Sequence, residues 1–553
     1  MDQPNDKPVR HAAPNERELL NRILNTPRLE RVIPQLQPEV LHRVIQTFGL
    51  EDCGELMALV TPAQLARIFD LDLWRTAQPG LDEQFDAKRF GIWLEVLLEF
   101  CGAVAAAQKL AGMDAELIVA GLAQHLLVYD RAAITPYQTL DGERVGVNSD
   151  DNDRLTSDLD GYVLVARRTD SWDAIIEVLM SLGESHSRYF HQVMQGCRAL
   201  SNAGFEIDEL DDLLTDGDQV LFDLAVSRER RREQQGYVTP AQARAFLQTA
   251  RRLQLGSEFL PPANPLARAY FRAFEETAAD AHRESAPLAT SAAESSVAED
   301  TTAAAAVYEV LFDAGVLAQP PHALLGAAEG HASRLGLIQT HMQFVLDRDP
   351  TAWALRNEEL AYLANTLIAG CSIQTRSFTP QEASEAVVAI CNLGLENWPP
   401  DWLPANATAL SDDFFVAQDL VGVFQVGWTV LHHDVSLYAA EQLIEVLVCR
   451  QCDDREIQAG LDTLRIQLAK HWQAGVPWKA REALEVIALL DTPTWAVLLA
   501  LIDECPVLHA AIKASQGSRL LSVSPSDFEF ISENRQIVSV RRFLQSLPET
   551  LLR

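Results

Sequence analysis

Cys449 and Cys452 form the one CxxC pair in the chain. Thiolates three positions apart on a helix are presented from neighbouring turns, so the pair offers two soft metal ligands or a redox dithiol. A closed zinc site requires four ligands, and no second CxxC or closely spaced histidine pair follows. His432, His433 and His471 would reach the thiols only through the fold. No thioredoxin-like βαβ pattern surrounds the motif. Helix-end packing is therefore the expectation, with no resident metal and no cofactor.

A second constellation is aromatic. Trp398 and Trp402 lie four apart in a segment stiffened by Pro399, Pro400 and Pro404. Such a pair can present a platform to a ring-bearing ligand, or it can plug a gap in a core. Trp428 follows Gly427, a glycine suited to a close helix contact. If the second half of the chain holds a ligand or active site, Trp398, Trp402, Trp428, His432 and His433 are its candidates.

Other spacings fail the chemistry that they suggest. Asp158, Asp160 and Gly161 resemble part of a calcium loop, but Thr156 and Arg167 stand where a ligand and the closing Glu belong, so an acidic turn before a strand is expected. Glu184, His186, Tyr189 and His191 are not an HExxH arrangement, because histidines five apart do not share a helix face. The run Arg228 to Arg232 is broken by Glu229 and followed by Glu233, which suits a solvated, ion-paired helix face. The chain has no G-x-G-x-x-G, Walker A, G-x-S-x-G or kinase signature.

The elements that must position these residues are helical. The 553 residues are 48% hydrophobic and 22% charged, the balance of a globular protein. A formal net charge of −33 repels phosphate backbones and anionic lipid, so nucleic acid is not an expected partner. The first residues lack an apolar signal region and no window is apolar over about 20 residues. A cytoplasmic protein without membrane insertion is expected.

Residues 1–15 read as a disordered tail, 16–282 as a helical domain, 283–304 as a flexible Ala/Ser/Thr/Glu linker and 305–553 as a second helical domain. A small β insertion is expected near 137–168, where Gly161 to Ala166 turns β-like. The segment from Gln37 is similar to that from Thr61, each with Pro at the first helical position, which implies solenoid-like helix pairs. Similar Thr-Pro starts occur at Thr239 and Thr379.

Residues 16 to about 74 resemble the N-terminal helical superhelix of MgtE-type magnesium transporters; the acidic cation-sensing residues of that family do not carry over. The segments Leu50 to Leu56, Tyr189 to Met194, Arg231 to Pro240 and Asn392 to Pro399 are similar to an uncharacterised bacterial family, which implies no activity. An all-α fold with a small β insertion, acting as a non-enzymatic interaction or scaffold protein, is the leading expectation. An all-α enzyme or small-ligand binder with its site in the second half is the alternative.

Overall fold

The computed structural model describes residues 14–26, 28–76, 83–131, 155–202, 216–234, 237–253, 307–311, 317, 321, 324, 335–374, 376–399, 418–442, 459, 497–498, 500–509 and 528–551. Chain contacts separate two units. The first comprises Met1–Arg75, Glu83–Arg232 and Pro287–Leu317; the second comprises Thr76–Asp82, Glu233–Ala286 and Ala318–Arg553. The tail through residue 13 and the 283–304 segment lie outside the described residues.

The first unit is a stack of helices: α1 Pro14–Leu24, α2 Leu29–Val32, α3 Pro38–Phe48, α4 Gly54–Leu59, α5 Pro62–Asp72, α6 Ala87–Cys101, α7 Ala103–Ala111, α8 Ala115–Ala123, α9 Trp172–Ser185, α10 Ser187–Asn202 and α11 Asp216–Gln234. The 24-residue similarity corresponds to α3 and α5, which pack on each other. Thr61 caps α5 through a reciprocal box with Gln64, whose amide also donates to the Ile33 and Leu36 carbonyls and ties the helix start to the preceding turn. Thr379 forms the same reciprocal box with Glu382, while Thr239 caps α12 by accepting from the Gln242 amide alone.

Strands interrupt this stack. A short ribbon pairs β1 Trp74–Arg75 with β2 Gln84–Phe85. A three-stranded antiparallel sheet follows, ordered β3–β5–β4, from β3 Leu126–Asp130, β4 Thr156–Leu159 and β5 Tyr162–Ala166. It starts earlier than the insertion expected at 137–168, because the alternating burial of Leu126 and Val128 pairs with that of β5. Asp160 and Gly161 have positive φ at the β4–β5 turn, as the acidic-turn reading requires.

In the second unit, α12 Pro240–Arg251 joins α13 Gly336–Arg348, α14 Pro350–Gly370, α15 Pro380–Glu396, α16 Leu420–Val430, a π-helical turn Leu431–Leu437 and α17 Asn534–Leu551. Phe246 and Leu247 of α12 belong to the core built by α14 to α16. Apolar burial places α12 in the second unit, which local periodicity does not reveal. Two ribbons absent from the sequence expectation, β6 Ser372–Ile373 with β7 Arg376–Ser377 and β8 Val507–His509 with β9 Phe528–Phe530, complete it. The architecture is mainly helical with small sheets, and among the described residues no helix is long and apolar enough to cross a membrane.

Candidate functional site

The described candidates of the second half do not form a site. Trp398, Trp428 and His432 are buried in the core of that unit. Trp428 donates to the Leu247 carbonyl and its ring lies 4.3 Å from that of His432. His432 places its two ring nitrogens 2.9 Å from the Trp428 and Glu504 carbonyls, and burial holds it well below the usual histidine range. His433 points outward beside Asp434. Gly427 packs on the Ile390 backbone of α15, the close contact that the glycine suggested. Trp402, Cys449, Cys452 and His471 lie outside the described residues.

The Arg228–Arg232 run is ion-paired, with Glu229 and Arg230 exposed and Arg228 buried. Arg228 is 3% exposed, donates to the Asp70 carbonyl and Glu83, and stacks 4.7 Å above Trp74. Arg231 grips Asp70 with two bonds and Arg232 pairs with Glu83. Three guanidiniums thus clamp α11 to the corner between α5 and β2, a structural use of charge. His191 reaches Asp160 and packs on Tyr162, while Tyr189 donates to the Met113 carbonyl, so the Glu184–His191 group is dispersed too. Cys53, Cys197, Cys371, Cys391 and Cys505 are buried thiols, with burial pushing Cys53 and Cys197 up to about 12. Among the described residues no group of three or more His, Cys, Asp or Glu side chains is placed to hold a metal ion.

What chemistry is left open to solvent gathers in the first unit, where the sheet hands the chain to α9. β3 begins immediately after His125 and β5 ends at Ala166, and the Leu126–Ala166 pairing sets these two ends side by side. The amides of Arg167 and Arg168 donate to the His125 carbonyl, fixing the turn that leads into α9. That turn carries Thr169, Asp170 and Ser171. Ser171 adopts the left-handed conformation with φ 61° and ψ 12° and gives α9 no side-chain cap.

The opposite wall is α6. Gly91, Glu95 and Glu99 recur every fourth residue and so share a face, with Leu98 beside them. Gly91 is buried against the turn: a Cβ there would stand 2.5 Å from Ser171 Oγ and 3.0 Å from His125 Cε1. Glycine is what lets α6 approach so closely. Above it opens a cleft of about 350 Å³ lined by Glu95, Leu98, Glu99, Thr169, Ser171, Trp172, Asp173 and Ala174. No cation of the described residues pairs with Glu95, Glu99 or Asp173, so the cleft carries three uncompensated carboxylates.

Behind Ser171 sits His125, fully buried. Its Nε2 lies 2.7 Å from the Ala87 carbonyl, and the ring also interacts with the Asp170 main chain. A carbonyl only accepts, so the ring nitrogen at Ala87 meets it as a donor. Burial lowers the affinity of the ring for a second proton, with the Ala87 carbonyl and Asp170 opposing. Sequence reasoning missed this group. Its readable signals were the Gly91–Glu95–Glu99 spacing and the step from β5 through Ser171 into a helix.

Fold and cleft together define a mainly helical protein of two units with an acidic recess in the first. Residues 6–209, which contain the whole recess, match the model of a family of unknown function, DUF6178. No curated protein and no solved structure matches the chain.

Proposed function

We propose that the protein is an interaction protein whose first unit receives a cationic group, carried by a basic segment of a protein partner, in the α6–α9 cleft. The observation that carries this reading is the set of uncompensated carboxylates Glu95, Glu99 and Asp173 around a concavity of about 350 Å³. A volume of this order is in the range of about 300–1,000 Å³ that ligand pockets occupy. Unpaired carboxylates at the rim attract a guanidinium or ammonium without a new charge being buried, and the formal charge of −33 steers basic partners toward the molecule. The chemistry-bearing side chains elsewhere, the buried thiols, the clamped arginines and His432, are engaged in the packing of the described core, which favours binding over a catalytic role for them.

The test is titration of a fluorescent hexa-arginine peptide into the full chain. The triple variant Glu95→Gln, Glu99→Gln, Asp173→Asn is expected to bind at least tenfold more weakly. A control that removes three exposed carboxylates elsewhere, Glu55→Gln, Glu177→Gln, Glu184→Gln, is expected to change binding by less than twofold. Equal losses in both variants would reduce the effect to bulk charge and overturn the assignment of the cleft.

A further inference from the structure

We infer that the cationic group received by the cleft is a guanidinium, so that the basic segment of the partner is read through arginine and not through lysine. This rests on the cation preference proposed above for the same cleft, and goes beyond it in naming the side chain. The acceptors stand on two walls: Glu95 and Glu99 on α6, and Thr169, Ser171 and Asp173 on the turn and first residues of α9. The two carboxylates of α6 are four residues apart, so the helix rise separates them by about 6 Å along one face. Glu95, Glu99, Thr169 and Asp173 are exposed and Ser171 is half-buried. None of the five side chains is hydrogen-bonded or ion-paired within the described residues. Arg168, in the same turn, is held by Asp170 and does not line the cleft.

Acceptors on two walls discriminate between cations by shape. Among the described residues no three His, Cys, Asp or Glu side chains converge to hold a metal ion, so the carboxylates of the cleft are spread and not focused on one point. A lysine ammonium is a point charge whose three donors surround the end of its stem. It can sit against one wall and leaves the carboxylate of the other to water. A guanidinium is planar and carries five N–H donors along two edges. One edge can take a carboxylate of α6 in a bidentate pair while the other meets Asp173, and the remaining N–H reaches the hydroxyl of Thr169 or Ser171. The guanidinium is also the more weakly hydrated cation, which lowers the cost of bringing it beside Leu98 and Trp172, the apolar part of the lining. Charge selects a basic partner, and the distribution of acceptors selects its side chain.

Fluorescent hexa-arginine, hexa-lysine and hexa-arginine carrying asymmetric dimethyl groups are titrated into the full chain and into Asp173→Asn. The three peptides have the same charge, so bulk attraction to the acidic molecule is common to all of them. The wild type is expected to prefer hexa-arginine over hexa-lysine by about tenfold, the worth of one charge-assisted contact. Dimethylation keeps the charge but blocks an N–H edge, and is expected to abolish that preference. Asp173→Asn removes the charge of one wall and is expected to bring hexa-arginine and hexa-lysine within about twofold of each other. Circular dichroism reports whether the variant is folded; should it not be, the dimethylated peptide makes the same test on the wild type. Equal binding of hexa-arginine and hexa-lysine by the wild type, with both weakened in Glu95→Gln, Glu99→Gln, Asp173→Asn, overturns the guanidinium and leaves the cation reading of the cleft standing. An arginine preference that persists undiminished in folded Asp173→Asn overturns the two-wall geometry. If neither peptide is weakened in the triple variant, the cleft reading falls and this inference falls with it.

Discussion

Asp72 receives three donors at one carboxylate: His42 at 3.4 Å, Arg89 at 2.6 Å and the indole of Trp93 at 2.7 Å. Burial works against its charge, but these partners hold it well below the usual carboxylate range. A depressed pKa contributes stability that is present above the unfolded value of 3.8 and is lost as pH falls. Asp72→Ala is expected to destabilise the first unit by about 3 kcal/mol, since it strands a buried guanidinium and an indole N–H; denaturant unfolding monitored by tryptophan fluorescence checks this. Glu359 behaves in the opposite sense. Burial raises it to about 7, although Arg356 and the Leu420 amide favour its charge. The fold therefore retains a proton that the unfolded chain releases near 4.5, and stability falls as pH rises from there through about 7, by up to about 3 kcal/mol. The pH dependence of stability is expected to flatten in Glu359→Gln, measured by denaturant unfolding between pH 4.5 and 7, and an unchanged slope would refute the assignment. Neither carboxylate stood out in the sequence, because each is defined by partners that come from other turns or other helices.

At the scale of elements, much was readable. Thr-Pro starts at 61, 239 and 379 begin helices, because Pro supplies the first-turn φ and the hydroxyl accepts an orphan amide. Thr61→Ala and Thr379→Ala are each expected to cost about 1 kcal/mol in thermal or chemical unfolding. Close helix approach is stricter. Gly427 meets the Ile390 carbonyl of α15, so Gly427→Ala must push α15 and α16 apart, at a cost on the order of 3 kcal/mol in denaturant unfolding. The β insertion was legible in the β-like run Gly161 to Ala166, but its partner β3 was not. Leu126 to Asp130 reads as the continuation of an apolar helix until β5 pairs with it. The cleft was hidden because its two walls, Glu95 to Glu99 and Thr169 to Ala174, lie far apart in the sequence.

At the scale of the whole molecule, the division into units is set by burial and not by composition. The Ala/Ser/Thr/Glu stretch at 283–304 suggested a boundary, yet Val238 to Ala250 pack with the second unit, while Val307, Leu311 and Leu317 pack with the first. A fragment of residues 1–282 therefore carries an α12 stripped of its core and lacks apolar residues of its own. It is expected to bind a hydrophobic dye and to aggregate relative to the full chain; a monomeric, dye-silent fragment would restore the boundary at 282. Helical periodicity, turn chemistry and charge are local properties, so the chain alone determined a mainly helical, acidic protein with a small β insertion and an absence of familiar catalytic motifs. Which arginines are clamped, which tryptophans are core and which serine faces a cleft depend on contacts between residues far apart in sequence. Those were decided only when tertiary packing paired β3 with β5 and brought Gly91 against Ser171.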